Sequence, residues 1–170
     1  DLTTPGEKRG EIFGGGLTLG QDHLFVTLSY GFVLSLDPRT GEKKWSQRLS
    51  GAGNTVPVFD DGLVYLVSGD SKAWAISANN GRIKWKIDAI GNDTNLISTN
   101  SPATSKKYAV FGFGNGEIYT TFKKGGYVLW SSSLSGRNDG RVISAIDDIV
   151  ASPVIAVSYT HLTLPTNLSV

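Results

Sequence analysis

His23 and His161 are the only histidines in the 170 residues, and cysteine is absent. Zinc sites are built largely from Cys and His, usually three or four ligands, so this chain has little to build one from. Serine-type catalysis needs a histidine held between a nucleophile and an acid. His23 falls at a turn into a strand-like run, and His161 lies in an uncharged tail. Gly112-Phe-Gly-Asn-Gly116 and Gly14-Gly-Gly16 superficially suggest phosphate loops. Such loops present their anion to the N-terminus of a following helix, whereas strand-like sequence follows both runs. Hairpin turns account for them better. These stretches offer chemistry little to build on.

The elements that would position these stretches are marked by Trp45, Trp85 and Trp130. They close similar segments: Asp37-Pro-Arg-Thr-Gly-Glu-Lys-Lys-Trp45, Ser77-Ala-Asn-Asn-Gly-Arg-Ile-Lys-Trp85 and Phe122-Lys-Lys-Gly-Gly-Tyr-Val-Leu-Trp130. A period of about 40–45 residues suits propeller blades of four short strands. In the second unit, 54–59 reads as an innermost strand and Asp60-Asp61-Gly62 as a tight hairpin. Residues 63–68 are apolar on both faces, as in a strand sandwiched between neighbours. After turns at 69–71 and 79–81, residues 72–77 return. Residues 82–88 then alternate, with Ile83, Trp85 and Ile87 inward and Arg82, Lys84 and Lys86 outward. The first unit has strands at 24–30, 32–37 and 43–49, and the third at 108–113, 117–122 and 127–134. Gly41, Gly81 and Gly126 can take a left-handed conformation, and the tryptophan four residues later buries a large apolar area between blades. No segment carries a sustained helical period. The fold class is all-β: a propeller of four-stranded antiparallel blades, about three to four of them here.

Sixteen basic against fifteen acidic residues give a net charge of +1, far from a nucleic-acid-binding footprint. Lys43-Lys44, Lys106-Lys107 and Lys123-Lys124 sit beside turns and read as a solvated rim. No apolar run is long enough for a membrane-spanning helix. The chain starts at Asp1, contains no methionine and has no signal-peptide pattern, so it reads as an internal piece of a longer protein. Blades are expected at about 14–50, 51–90 and 91–135, with the next beginning at 141–155. Residues 1–155 thus form a partial propeller. The uncharged stretch 156–170 reads as a non-native tail.

The Asp-x-x-Thr-Gly-x-x-x-Trp pattern resembles the repeat of quinoprotein-type (PQQ-like) β-propellers. Ser101-Pro-Ala-Thr104, Gly112-Phe-Gly-Asn-Gly-Glu117, Tyr127-Val-Leu-Trp130 and 146–154, Ile-Asp-Asp-Ile-Val-Ala-Ser-Pro-Val, narrow it. In that order and spacing they resemble the BamB family, propeller lipoproteins of the outer-membrane β-barrel assembly machinery. The resemblance implies an eight-bladed, non-enzymatic scaffold without cofactor or metal. It would sit at the periplasmic face of the outer membrane of a Gram-negative bacterium, held by a lipid anchor absent from this chain. Its partner would be the barrel-inserting subunit, with unfolded outer-membrane proteins as further candidates. The family's contact loops correspond to 93–98, with Leu96 and Ile97, and 146–150, with Asp147 and Asp148. Thr94, Ile97 and Val150 stand where the family pattern has leucine, arginine and aspartate. From the residues alone, Leu96 and Ile97 either tuck under a blade or anchor a partner, and Asp147-Asp148 is either a solvated turn or a contact.

Two other classes share the propeller. A quinoprotein dehydrogenase would hold PQQ and Ca²⁺ with acidic and amide ligands, often beside an adjacent-cysteine disulfide. This chain has no cysteine, and Trp74, the one tryptophan off the repeat spacing, is accounted for by strand burial. A sensor or ligand-binding propeller is the other.

Trp85→Ala is expected to cost about 3–5 kcal/mol, the usual range for emptying a large buried aromatic site. A thermal melt in the natural full-length protein showing a loss below about 1 kcal/mol would rule out the packing role.

Overall fold

The computed structural model describes residues 15–53, 55–89, 100–133 and 152–154. These hold twelve strands and, among the described residues, no helix. β1 (Leu17–Gly20), β2 (His23–Leu28), β3 (Phe32–Leu36) and β4 (Lys43–Arg48) form one antiparallel sheet. β5 (Val58–Asp60), β6 (Leu63–Ser68), β7 (Lys72–Ser77) and β8 (Ile83–Asp88) form the second. β9 (Ala103–Thr104), β10 (Tyr108–Gly112), β11 (Glu117–Phe122) and β12 (Val128–Ser133) form the third. Strand order follows chain order in each, because short turns can join only antiparallel neighbours. The first strands β1, β5 and β9 approach one another from sheet to sheet. The sheets are propeller blades with their first strands innermost.

Turn chemistry sets the register. Asp61 and Gly62 have φ of +50° and +74°, so a two-residue turn pairs Asp60 with Leu63 and its twist matches the strands it joins. The innermost strands are shorter than the sequence suggests. β5 starts at Val58 rather than at residue 54, because Pro57 offers no N–H to a ladder. Thr55 is held instead through its side chain, donating to the Val67 carbonyl at 2.8 Å. β1 carries no sequence signal strong enough to mark it: it is four residues long and follows glycines.

β6 is the centre of the packing. Val64 and Leu66 join Phe25 and Val33 of the first blade in one core. Tyr65 and Val67 join Phe111 and Phe113 of the third in another. A strand apolar on both faces is what two flanking blades require. A separate cluster of Leu28, Leu34 and Leu36 lies on the far face of the first blade.

All three blades have an irregularity where the third strand meets the fourth. Ser35 pairs with Trp45 and then Leu36 with Lys43. Ala75 pairs with Trp85 and then Ile76 with Ile83. Thr120 pairs with Trp130 and then Thr121 with Val128. One extra residue, Lys44, Lys84 or Leu129, is thereby inserted just before each tryptophan. A bulge bends its strand and re-aims the following side chain. This corrects the expected alternation of 82–88: Trp85 and Ile87 pack against the core, but Ile83, beyond the bulge, is 40% exposed.

Trp45 and Trp85 each reach into the next blade. The Trp45 indole donates to the Ala78 carbonyl at 2.7 Å, and that of Trp85 to the Lys123 carbonyl at 2.9 Å. The rings lie against Gly81 and Gly126, where an added Cβ would come within 2.6 Å of an indole carbon. Each ring is thus received by the glycine of the following blade, not by the one in its own segment. Trp130, on the last described strand, is 51% exposed.

Lys123 departs from the solvated rim expected of the lysine pairs. Its side chain is 7% exposed and lies 2.7 Å from Asp60 of the second blade. A charge so buried needs its partner, which fixes the two blades in register.

The connection between the first two blades is fastened by Asp70 in the β6–β7 turn. Ser50 donates to one carboxylate oxygen at 2.6 Å, and Ser68 and Lys72 donate as well. Ser68 in turn accepts from the Trp74 indole at 2.7 Å. Burial by itself would raise the Asp70 pKa, but bonds from Lys72, Ser50 and Ser68 outweigh it and hold it below the usual carboxylate range. A depressed carboxyl stabilises the fold above its unfolded pKa, about 3.9, and loses that contribution as pH falls through the folded value. Asp70→Asn should therefore cost about 1–2 kcal/mol at neutral pH. In denaturant titrations the gap to the natural sequence should narrow below about pH 4; a gap independent of pH would show that the carboxylate charge is not what fastens the turn.

Candidate functional site

Antiparallel meanders put their turns at two ends. One end carries the turns after the first and third strands of each blade, at 21–22, 37–42, 61–62, 78–82, 105–107 and 123–127. The other carries the turns after the second strands and the described ends of the blade-to-blade connections, at 49–53, 55–57, 89 and 100–102. In sequence, two of the candidates fall between β8 and β9 and two follow β12. Leu96, Ile97, Asp147 and Asp148 lie outside the described residues, and their flanks are what can be located.

Residues 90–99 are bracketed by two hydrogen bonds. Ala89 N–H donates to the Ser71 carbonyl at 3.0 Å, which ties the start of the connection to the β6–β7 turn. Ser101 N–H donates to the Ser152 hydroxyl at 3.0 Å. Ser152 follows directly on 134–151, so the exit of one connection touches the exit of the next.

The fully described part of the preceding connection shows how such a segment is held. Leu49 N–H donates to the Gly31 carbonyl at 2.7 Å, and Gly69 N–H to the Ala52 carbonyl at 2.7 Å. The Thr27 hydroxyl, fully buried, lies 2.8 Å from the Thr55 carbonyl and accepts from Gly16 N–H at 2.8 Å. Gly51 approaches Asp70 so closely that a Cβ would meet its carboxylate at 2.3 Å. The described part of this connection is held by backbone groups of the neighbouring turns rather than by solvent.

Two clefts among the described residues lie at the opposite end. One, of about 210 Å³, lies between the second and third blades and includes Leu63, Tyr65, Lys84, Trp85 and Lys124. The Tyr65 hydroxyl is buried without a hydrogen-bond partner among the described residues, and burial first, then Asp60 and Asp61, push its ionisation upward. The other, of about 350 Å³, is lined by Asp22, Asp37, Pro38 and Arg39.

Acid–base chemistry has little footing in the described residues. His23 comes within 2.7 Å of the Ser35 hydroxyl and stacks on Phe25. Burial, then Lys44, lowers its pKa. Ser35 is fully buried, so no substrate can reach it as a nucleophile. No group of three or more His, Cys, Asp or Glu that could hold a metal ion occurs among the described residues.

Sequence reasoning missed the Lys123–Asp60 pair and the Asp70 knot. A signal for the first was present: in the repeat, Lys123 stands three residues before Gly126, where Ala78 stands before Gly81. A lone charge at a position filled by Pro38 in the first repeat and Ala78 in the second marks a specific partner.

A family model described as outer membrane protein assembly factor BamB matches residues 2–163. BamB of Moranella endobia is 22% identical over 147 residues, which are 86% of this chain and 38% of that protein. The crystal structure of BamB from Moraxella catarrhalis superposes with a TM-score of 0.72 at 18% identity, over 85% of this chain and 44% of that one. A more distant likeness is to quinoprotein alcohol dehydrogenase PedH of Pseudomonas putida: 27% over 119 residues, 68% of this chain but 19% of that protein. The chain therefore spans well under half the length of its BamB relatives. With a repeat, a blade architecture and a family match that runs through all three sheets, this chain belongs to the outer membrane protein assembly factor BamB family.

Proposed function

We propose that this chain is part of a non-enzymatic scaffold for outer-membrane protein assembly, working at the periplasmic face of the outer membrane. Its task is to hold docking loops in fixed relative positions, and the loops are the blade-to-blade connections containing Leu96, Ile97, Asp147 and Asp148. The docked partner is the barrel-inserting subunit. The family match across residues 2–163 carries the reading.

The geometry around the loops supports it physically. A scaffold that binds through loops keeps its affinity only if those loops are ordered before binding, since each freed residue adds entropy to be lost. The Ala89–Ser71 and Ser101–Ser152 bonds fasten the flanks of the two connections to blades and to each other. An apolar anchor, Leu96 with Ile97, combined with the acidic Asp147-Asp148 would have the make-up of a small hot spot with a polar border.

Leu96→Ala combined with Asp148→Arg, in the natural full-length protein, should weaken binding to the purified barrel-inserting subunit by about 2 kcal/mol or more, roughly thirtyfold. Calorimetric titration reads this directly. Unchanged affinity in a variant with a natural melting temperature would remove these loops from the proposal.

A further inference from the structure

The two interfaces between described blades use the same repeat positions but fill them differently. At the first, Phe25 stacks on Phe59 with ring centroids 5.8 Å apart. Gly20 lies against the Phe59 ring, and Ala78 belongs to the same core. Strand register makes Tyr65, Thr104 and Asp60 the counterparts of Phe25, Phe59 and Gly20 at the second interface. Lys123 is the counterpart of Ala78, because each accepts the indole N–H of the preceding blade. None of the first four residues has a polar side chain, and all of the second four do.

Two of these polar groups satisfy each other: buried Lys123 lies 2.7 Å from Asp60. The Tyr65 hydroxyl does not share in this. It is fully buried and has no hydrogen-bond partner among the described residues, an arrangement that costs stability. A position that accepts phenylalanine in the first blade thus carries an unmet hydroxyl in the second.

Tyr65 and Lys123 both line the cleft of about 210 Å³ between the second and third blades. Leu63 and Trp85 give that cleft apolar walls, and the exposed Lys84 and Lys124 complete its basic lining. Neither of these two lysines has an ion-pair partner among the described residues. Three lysines against Asp60 and Asp61 leave one positive charge unbalanced. The volume is below the roughly 300–1,000 Å³ of drug-sized ligand sites, so one ring with its carboxylate fits and a chain segment does not. The cleft lies between two described blades, at the end away from their connections.

We propose that this cleft binds a small monocarboxylic acid with a ring or branched apolar body. The body lies against Leu63 and Trp85, and the carboxylate accepts from the Tyr65 hydroxyl while the lysines supply the opposing charge. Because the hydroxyl is fully buried, reaching it takes a side-chain rotamer change in the lining, a common accompaniment of binding. The site is separate from the proposed docking loops, and its test does not depend on them.

The probe is benzoate, titrated into the natural full-length protein at low ionic strength and followed by ligand-detected NMR. A dissociation constant in the millimolar range is expected for so small a ligand. Benzamide, of the same shape but uncharged, should bind at least about tenfold more weakly. Lys84→Gln combined with Lys124→Gln should weaken benzoate about fivefold and flatten its salt dependence. Tyr65→Phe should weaken benzoate roughly tenfold, yet melt no lower than the natural protein, since the hydroxyl has no partner to lose. Benzoate should then raise the melting temperature of the natural protein more than that of Tyr65→Phe. The proposal is overturned by absence of benzoate binding up to about 20 mM, by equal affinity for benzamide, or by unchanged affinity in either variant. A Tyr65→Phe protein that melts several degrees lower overturns it too, since the hydroxyl would then already be engaged within the fold.

Discussion

The indole resting on a neighbouring blade's glycine is the contact on which the rest of this structure depends. A four-stranded blade on its own leaves two apolar faces exposed and cannot bury either. The contact supplies both terms needed to join two blades: apolar area from the ring, and a directed hydrogen bond that fixes how one blade sits against the next. It works only because the receiving turn has no Cβ. Gly81 and Gly126 are at positive φ, so the backbone conformation and the space for the ring are met by the same residue type. The bulge before each tryptophan completes the arrangement, turning the ring out of the plane of alternation toward the neighbour.

Around this contact the blade interfaces differ in what else they use. Between the first and second blades the additional fastening is polar and lies at the connection end, through Thr27, Thr55 and Asp70. Between the second and third it is the buried Lys123–Asp60 pair at the turn end. Both devices match charged or polar groups to one specific neighbour, which hydrophobic burial alone does not do. Tolerance to substitution should accordingly be lowest at the glycines, where neither φ nor volume can change, and higher on the outer strands, whose lysines reach solvent.

Rigid joints make sense of loop display. The connections between blades leave from one end, and their flanks are fixed by backbone hydrogen bonds to adjacent turns. On the proposed reading, the propeller contributes to binding by holding several loops at set separations. The same architecture carries redox chemistry in the quinoprotein dehydrogenases that share the fold, which is why fold alone does not decide function.

The sequence by itself determined the fold class, the repeat and most of the strands. The strands at 63–68, 72–77 and 117–122 could be bounded from the residues, because double-sided apolar runs between Asp-Gly or Asn-Gly turns have few other solutions. It also marked Trp45, Trp85 and Trp130 as equivalent. Innermost strands were harder to read, since Leu17–Gly20 and Ala103–Thr104 are too short to show a period. Only the tertiary structure decided which glycine receives which ring, since that pairing crosses about 36 to 41 residues and local pattern carries no information at that range. The bulges, the burial of Lys123 and the adjacency of Ser101 to Ser152 have the same origin. They are consequences of one blade pressed against another, and a single blade's sequence does not contain its neighbour.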